Sequence, residues 1–154
     1  MGRRVDRLAV EGGELMRKAV IAAIGVILMA QPVMAYTEDD LYELSHIINA
    51  EVGDAACTDE LRIAVGSVVL NRVASDLFPD TIYEVVHQEG QYRPTWDGSF
   101  LKEPSEAAVE VAKMLLEEGS QLPGDCLYQA NFVQGSAIYE RFDTIYGPTY
   151  ICVQ

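Results

Sequence analysis

The stretch ELRIAVGSVVLNRVAS, residues 60–75, carries apolar side chains around almost the whole circumference of a helix. The apolar positions are Ile63, Val65, Val68, Val69 and Leu70. A helix that is apolar all round has to be covered by protein on every side. Just before it, Thr58 provides a capping side chain, and Asp59 and Glu60 place negative charge in the first turn. We therefore expect a central, buried helix in a single globular domain.

Three further helices are expected around this central one. Thr37, followed by three acidic residues, predicts the start of a helix that Gly53 ends. The sequence LFPD ends the central helix, and Asp80 is expected to cap a short helix over TIYEVVHQ. Ser105 predicts the start of an amphipathic helix that ends at Gly119. Helices therefore dominate the predicted domain.

The C-terminal part of the chain predicts strands. CLYQANF and TYICV are short strand candidates, and the loop expected between them includes GSAIYERF. Residues 89–105, EGQYRPTWDGSFLKEPS, have neither a helical nor a strand period and are expected to form a loop. Such an aromatic-rich loop is either a functional surface or a connection that its rings pin to the core. The predicted fold class is α+β, helix-dominated, with a short C-terminal antiparallel strand pair.

The N-terminus has the three parts of a secretory signal peptide. Arg17 and Lys18 precede the apolar run AVIAAIGVILMA, which leads to Val33-Met34-Ala35, a sequence similar to the small-x-small pattern of a cleavage site. The run is short for a membrane span, which needs about 20 residues. We predict that residues 1–35 are an N-terminal extension and signal peptide, removed after Ala35, and that residues 36–154 form a secreted domain. An uncleaved anchor is the alternative, and Met16 is the natural start.

The acidic balance of the chain restricts its partners. The net charge is −13, and removal of residues 1–35 would make the remaining domain more acidic still. An acidic surface repels polyanions, which argues against nucleic acid and anionic membranes as partners. We expect a monomer that has no stable membrane association after signal cleavage.

Cysteine and histidine residues give no pattern for a metal site. Cys57, Cys126 and Cys152 lack the C-x-x-C or Cys/His spacing of zinc sites, and His46 and His87 are expected to be ordinary helix residues. No metal and no cofactor is therefore predicted. A disulfide between Cys126 and Cys152 and three buried thiols both fit the sequence.

Glu51, in LSHIINAEVGD, falls on the apolar side of its helix. It lies three residues after Ile48 and four after Ile47, so helical spacing places its carboxyl group near the core. One explanation is a structural ion pair with Arg62 or Arg72. The other is acid catalysis, because desolvation raises a carboxyl pKa and keeps the group protonated, as glycosidic bond cleavage requires.

Three segments together carry a family resemblance. LSHIINAEVGD, IAVGSVVLNRVASDLFPDTIYEVVHQEGQYRPTWDG and CLYQANF resemble the SleB/CwlJ-type cell wall hydrolases, the spore-cortex-lytic enzyme family. The resemblance implies a lysozyme-like, transglycosylase-related domain over residues 36–154 that binds peptidoglycan glycan strands. It also implies that Glu51, in NAEVGD, is the catalytic acid of a lytic transglycosylase acting between N-acetylmuramic acid and N-acetylglucosamine, in wall turnover or in spore germination.

The resemblance also implies contacts with the sugars. Gln91, Tyr92 and Trp96 match the family's loop and are expected to line the sugar groove. Tyr128 and Asn131 match a strand that faces the cleft. For each of these five residues a packing role is the alternative.

Other reactions and roles remain open at this point. A hydrolytic glycosidase would usually need a second carboxylate, for which Asp97 and Glu89 are the candidates, although Asp97 before Gly98 also fits a turn. An amidase acting on the same polymer commonly needs zinc ligands, which two scattered histidines do not supply. A non-catalytic peptidoglycan-binding domain is the alternative outside enzymes. Spore cortex and vegetative wall are both possible substrates.

Overall fold

A computed structural model of the chain describes residues 36–53 and 57–154. The predicted N-terminal extension, signal peptide and cleavage after Ala35 lie outside the described residues. Among the helices that the structure describes, none has both the length and the apolar character needed to cross a membrane.

The described residues form a helical part followed by a small sheet. The helices are α1 (Glu38–Val52), α2 (Asp59–Val73), α3 (Ile82–Val86), α4 (Pro94–Asp97) and α5 (Glu106–Glu118), with a 3₁₀ turn at Ser99–Leu101. The strands are β1 (Cys126–Ala130), β2 (Ala137–Thr144) and β3 (Gly147–Val153). The predicted loop over residues 89–105 therefore contains two short helical turns, α4 and the 3₁₀ turn.

Helices α1, α3 and α5 each begin directly after a residue whose side chain caps the helix. Thr37 forms a capping box with Asp40 at the start of α1, and Ser105 accepts a hydrogen bond from the Ala108 N–H at the start of α5. The predicted cap of α3 is wrong by one residue: the cap is Thr81 and not Asp80. The Thr81 hydroxyl accepts from Glu84 N at 3.2 Å and donates to the Glu84 carboxylate at 2.7 Å. This reciprocal pair satisfies more polar groups than a single acidic cap would.

Helix α2 is the centre of the core, as the sequence predicts. Val65, Val68 and Val69 are fully or almost fully buried, and α2 packs between α1 and α5. Gly66 permits the close approach of these helices, because a Cβ at that position would overlap the side chains of Leu115 and Ile48. The helical part therefore closes around α2 on several sides.

The sheet has three antiparallel strands in the order β1-β3-β2, so the predicted pairing of β1 with β3 is confirmed. The prediction that GSAIYERF is a loop is wrong, because most of it forms β2. This edge strand is exposed along nearly its whole length and therefore lacks the apolar alternation by which strands are detected.

Two polar side chains of α2 attach the sheet to the helices. Asn71 Nδ2 donates to Pro123 O at 2.7 Å and to Cys126 O at 3.1 Å. Arg72 Nε donates to Leu127 O at 2.8 Å. These bonds fix the first half of β1 against the central helix, and they thereby set the position of the residues that follow in the strand.

The three cysteines are free thiols in this structure. Cys126 and Cys152 are buried, and Cys57 is half-buried. Of the two possibilities that the sequence leaves open, the structure therefore has free thiols and not a disulfide between Cys126 and Cys152.

Candidate active site

Glu51 lies in the last turn of α1 and faces a cavity. Gly53 ends the helix two residues later, with a φ of 69° that glycine adopts without strain. The sequence predicts a carboxyl group near the core, and the structure places it at the wall of the cavity, where the residue is exposed although protein still surrounds much of the carboxyl group. The apolar stripe of the helix ends in the core at Val52, and the final turn carries Glu51 to the cavity wall.

The cavity has a volume of about 700 Å³, within the range of about 300–1,000 Å³ typical of small-molecule sites. It is walled by the end of α1, the start of α2, the segment before α4, the end of β1 and the β2–β3 hairpin. Its polar lining consists mainly of amides and hydroxyls: Gln91, Gln129, Asn131, Gln134, Thr144, Tyr146 and Thr149. Glu51 and Arg93 are the charged residues among the described lining. Such a lining suits a neutral, hydroxyl-rich ligand.

The carboxyl group of Glu51 has a raised pKa. The protein around it removes water, which raises the pKa, and the negative charge of Asp97 acts in the same direction. A hydrogen bond from Gln129 Nε2 to Glu51 Oε2, at 3.2 Å, and the positive charge of Arg72 oppose the rise. Because desolvation is the largest of these effects, Glu51 holds its proton more tightly than an ordinary glutamate.

The guanidinium group of Arg72 is buried and packs against two aromatic rings. Its guanidinium carbon lies 4.9 Å from the ring centroid of Phe78 and 5.2 Å from that of Tyr92. Tyr92 is only 2% exposed, and burial raises its pKa to about 12, so its phenol stays protonated. Arg72 is therefore held by Leu127 O and two rings, and it acts on Glu51 through its charge.

The predicted site residues separate into two groups in space. Gln91 and Asn131 line the cavity together with Glu51. Tyr92 lies in the core, Trp96 is 71% exposed outside the cavity lining, and Tyr128 is half-buried and also outside it. The structure thus brings Gln91 and Asn131 to the candidate acid, and it places the three aromatic residues elsewhere.

Comparison with known proteins identifies the family. The family model described as Cell Wall Hydrolase matches residues 58–145, which is more than half of the chain. The chain belongs to the cell wall hydrolase family. The match begins at the cap of α2 and ends in the β2–β3 hairpin.

A curated protein is similar to this cell wall hydrolase in sequence. The spore cortex-lytic enzyme of Oceanobacillus iheyensis is 32% identical over 97 residues, which are 62% of this chain and 34% of that enzyme. The chain thus spans about a third of the length of this curated relative.

Two solved structures share the fold. The catalytic domain of SleB from Bacillus anthracis, described as a germination-specific lytic transglycosylase, has a TM-score of 0.59 and 20% identity, over 77% of this chain and 98% of that one. The catalytic domain of Bacillus cereus SleB has the same TM-score and identity, over 77% and 94%. The predicted helix-dominated, lysozyme-like α+β fold is confirmed.

The two acids considered as a second carboxylate differ in their surroundings. Asp97 accepts hydrogen bonds from Ser99 N at 2.9 Å and Ser99 Oγ at 2.6 Å, and it pairs with Arg93 at 3.3 Å. The Ser99 bonds hold the pKa of Asp97 below its usual value. Its carboxylate therefore closes the turn before the 3₁₀ segment. Glu89 is exposed and lies outside the cavity lining.

The described residues offer no cluster of side chains that could bind a metal ion. Within residues 36–53 and 57–154, no group of three or more His, Cys, Asp or Glu side chains is placed to hold a metal ion. The two histidines are engaged elsewhere: His46 Nδ1 lies 2.7 Å from Phe100 O, and His87 Nε2 lies 2.8 Å from a Glu43 carboxylate oxygen.

Sequence reasoning missed Gln129, the residue that contacts Glu51. The usual alternation of buried and exposed side chains cannot be extrapolated along β1 from Cys126. Cys126 and Leu127 are both buried, and the pairing register with β3 shifts between Cys126 and Tyr128. An irregularity of this kind changes which later side chains point to a given face. The sequence signal for Gln129 is weak, since it is one of two amides, with Asn131, in the strand candidate CLYQANF.

Replacing Gln129 by Leu is expected to raise the pKa of Glu51 further. The amide stabilises the ionised carboxylate, and leucine removes that hydrogen bond while it keeps the space filled against water. Titration of the Glu51 carboxyl carbon by NMR measures the change. Gln134→Leu is the matched control, since Gln134 lines the same cavity. An unchanged or lowered pKa in Gln129→Leu would contradict the assignment.

Proposed function

We propose that this cell wall hydrolase cleaves the glycosidic bond between N-acetylmuramic acid and N-acetylglucosamine in peptidoglycan by a lytic transglycosylase-type reaction. The observation that carries the proposal is Glu51, an acid with a raised pKa at the wall of a cavity lined by amides and hydroxyls. Departure of a sugar leaving group requires a general acid, and a raised pKa keeps a carboxyl group protonated to higher pH than an ordinary glutamate.

Glu51 has two successive roles in this reaction. Protonated Glu51 donates its proton to the glycosidic oxygen as the bond from that oxygen to the muramic anomeric carbon breaks. The resulting carboxylate then accepts the proton of the muramic 6-hydroxyl, whose oxygen bonds to the anomeric carbon and forms a 1,6-anhydro ring. The proton returns to Glu51, and no water is consumed.

Gln129 supports the ionised stage of the cycle. Its Nε2 group donates to the carboxylate in the ionised stage, which steadies the base that receives the 6-hydroxyl proton. The positive charge of Arg72 favours the same ionised form. These two influences keep the raised pKa of Glu51 from preventing the second proton transfer, and they support a role as both acid and base.

The cavity supports the one-carboxylate route over hydrolysis. Hydrolytic glycosidases commonly use two carboxyl groups about 5–9.5 Å apart. Among the described residues of the cavity lining, Glu51 is the one carboxylate, and Asp97 is engaged with Ser99. In the anhydro route the substrate itself supplies the nucleophile, so a second carboxylate is not needed.

The place of action is part of the proposal. The signal-like sequence that ends at Ala35 supports export to the cell wall or spore cortex, and the acidic composition supports a soluble, monomeric domain there. The similarity to a protein named spore cortex-lytic enzyme supports cortex as one of the substrates. Both cortex and vegetative peptidoglycan are therefore used in the test.

Mass spectrometry of the digestion products tests the reaction. Purified cortex and vegetative sacculi are expected to yield muropeptides that end in 1,6-anhydro-muramic acid. Reducing muramic ends would instead indicate a hydrolase, and free peptides an amidase. Protein that sediments with sacculi but releases nothing would indicate a binding domain, and each of these three results would overturn the proposal.

A further inference from the structure

The turn between β2 and β3 is hydrogen-bonded and carries an aromatic residue at its tip. Thr144 Oγ1 donates to Gly147 O at 2.7 Å and accepts from Tyr146 N at 3.1 Å. Gly147, with a φ of 111°, supplies a backbone conformation that other residues rarely adopt. The hydroxyl of Thr144 and the glycine together define the backbone path of the turn at Tyr146.

Tyr146 and Phe132 are exposed, yet both line the cavity of Glu51. Tyr146 is 82% exposed and Phe132 is 60% exposed. The Tyr146 ring reaches the end of α1: its Cε2 atom lies 4.0 Å from where a Cβ on Gly53 would be. Gly53 is two residues after Glu51, so this ring lies at the same end of α1 as the candidate acid and lines the same cavity.

Tyr146 and Phe132 are the aromatic residues in the described lining of the cavity. Exposure alone does not distinguish them, because Ile145 and Trp96 are similarly exposed outside the lining. Their position in the lining does distinguish them, since it presents two ring surfaces to whatever occupies the cavity. Neither ring belongs to the buried core of the described residues, so both remain available for contact.

A pyranose ring has the surface that these side chains fit. The C–H bonds on one face of the sugar carry small positive charge, and the face of an aromatic ring carries negative charge from its π electrons. The sugar's hydroxyl and acetamido groups point outward from its rim, where the cavity supplies Gln91, Asn131 and Gln134. Aromatic faces and amides together match a neutral amino sugar better than an anionic ligand.

We propose that Tyr146 and Phe132 form an aromatic clamp that holds N-acetylhexosamine rings of the glycan strand beside Glu51, with Tyr146 as the main contact. The clamp rests on the proposed function, since its ligand is the same glycan. It assigns substrate binding to the hairpin tip and to the residues after β1. The exposed Trp96, which lies outside the cavity lining, has no part in it.

Binding to an inactive parent tests the clamp without relying on catalysis. The parent is Glu51→Gln, the ligand is a β-1,4-linked tetramer of N-acetylglucosamine, and the measurement is isothermal titration calorimetry. Adding Tyr146→Ala is expected to weaken binding roughly tenfold, which corresponds to loss of about one aromatic stacking contact. Phe132→Ala is expected to weaken it less, and Tyr146→Phe is expected to retain most of the affinity because the ring face remains.

The same turn provides the control. Ile145 is 73% exposed, neighbours Tyr146 and lies outside the cavity lining, so Ile145→Ala is expected to bind the tetramer as the parent does. Equal affinity of Tyr146→Ala and the parent would overturn the clamp, as would a parent that does not bind the tetramer. If wild-type protein still releases anhydro-muropeptides in that case, the clamp fails and the proposed function stands.

Discussion

Replacing Glu51 by Gln is expected to lower the rate of peptidoglycan lysis by about 10²–10⁴-fold, the usual contribution of a general acid. The amide has nearly the same shape and can still accept the hydrogen bond from Gln129, but it has no acidic proton to give to the leaving oxygen. The measurement is the release of soluble muropeptides from purified sacculi per unit time.

The melting temperature shows whether this loss of activity comes from the missing acid or from damage to the folded structure. Because the folded-state pKa of Glu51 is raised, its ionisation disfavours the folded state progressively as pH rises from the ordinary glutamate value through the raised one. At neutral pH, Glu51→Gln removes this cost, so its melting temperature is expected to equal or exceed that of the wild type.

An acid outside the cavity lining is the control for this substitution. Glu89 is exposed, and Glu89→Gln is expected to retain close to full lysis. If Glu51→Gln lyses sacculi at the wild-type rate, Glu51 is not the catalytic acid. If Glu89→Gln is as inactive as Glu51→Gln, a second carboxylate takes part and the one-carboxylate mechanism is wrong.

Replacing Arg72 by Ala is expected to lower the free energy of unfolding by about 3 kcal/mol. The substitution leaves Leu127 O without its donor, removes the stacking partner of Phe78 and Tyr92, and opens a cavity beside the central helix. The same change removes a positive charge that acts on Glu51, so the pKa of Glu51 is expected to rise.

Urea unfolding and NMR titration measure the two effects of Arg72→Ala. The control is Arg141→Ala, because Arg141 also lies near a ring, that of Tyr150 at 5.7 Å, but pairs with Asp143 at the surface. Its cost is expected to stay within about 0.5 kcal/mol. Arg72→Lys keeps the charge, so the pKa of Glu51 should change less than in Arg72→Ala. Equal stability losses in Arg72→Ala and Arg141→Ala would contradict the buried role.

The helices could be predicted because their signals are local. Thr37, Thr58 and Ser105 each accept a backbone N–H of the first turn, and Gly53 and Gly119 end their helices with positive φ. Such interactions involve residues three or four positions apart, so a single sequence contains them completely.

The edge strand could not be predicted because its stability comes from its neighbour. β2 exposes both faces along most of its length, and it owes its conformation to backbone pairing with β3. Backbone hydrogen bonds between strands leave no mark in side-chain periodicity, so the exposed segment resembles a loop.

The candidate site was only partly predictable for a related reason. Tyr92, just before α4, is buried in the core, whereas Trp96, within α4, is exposed to solvent, and no period in the sequence distinguishes these two aromatic residues. The contact between Gln129 and Glu51 joins residues 78 positions apart and depends on how β1 docks on α2. The resemblance indicated Glu51, whereas the surroundings of Glu51 required the structure.

The hairpin has a further consequence for how such proteins diversify. Glu51 belongs to the helical part, which is constrained by a dense core, while Tyr146 belongs to a solvent-facing turn that the core does not touch. Substitutions at the turn can therefore accumulate with little loss of stability. On the proposed function, such substitutions would alter glycan preference while leaving the proposed acid in α1 unchanged.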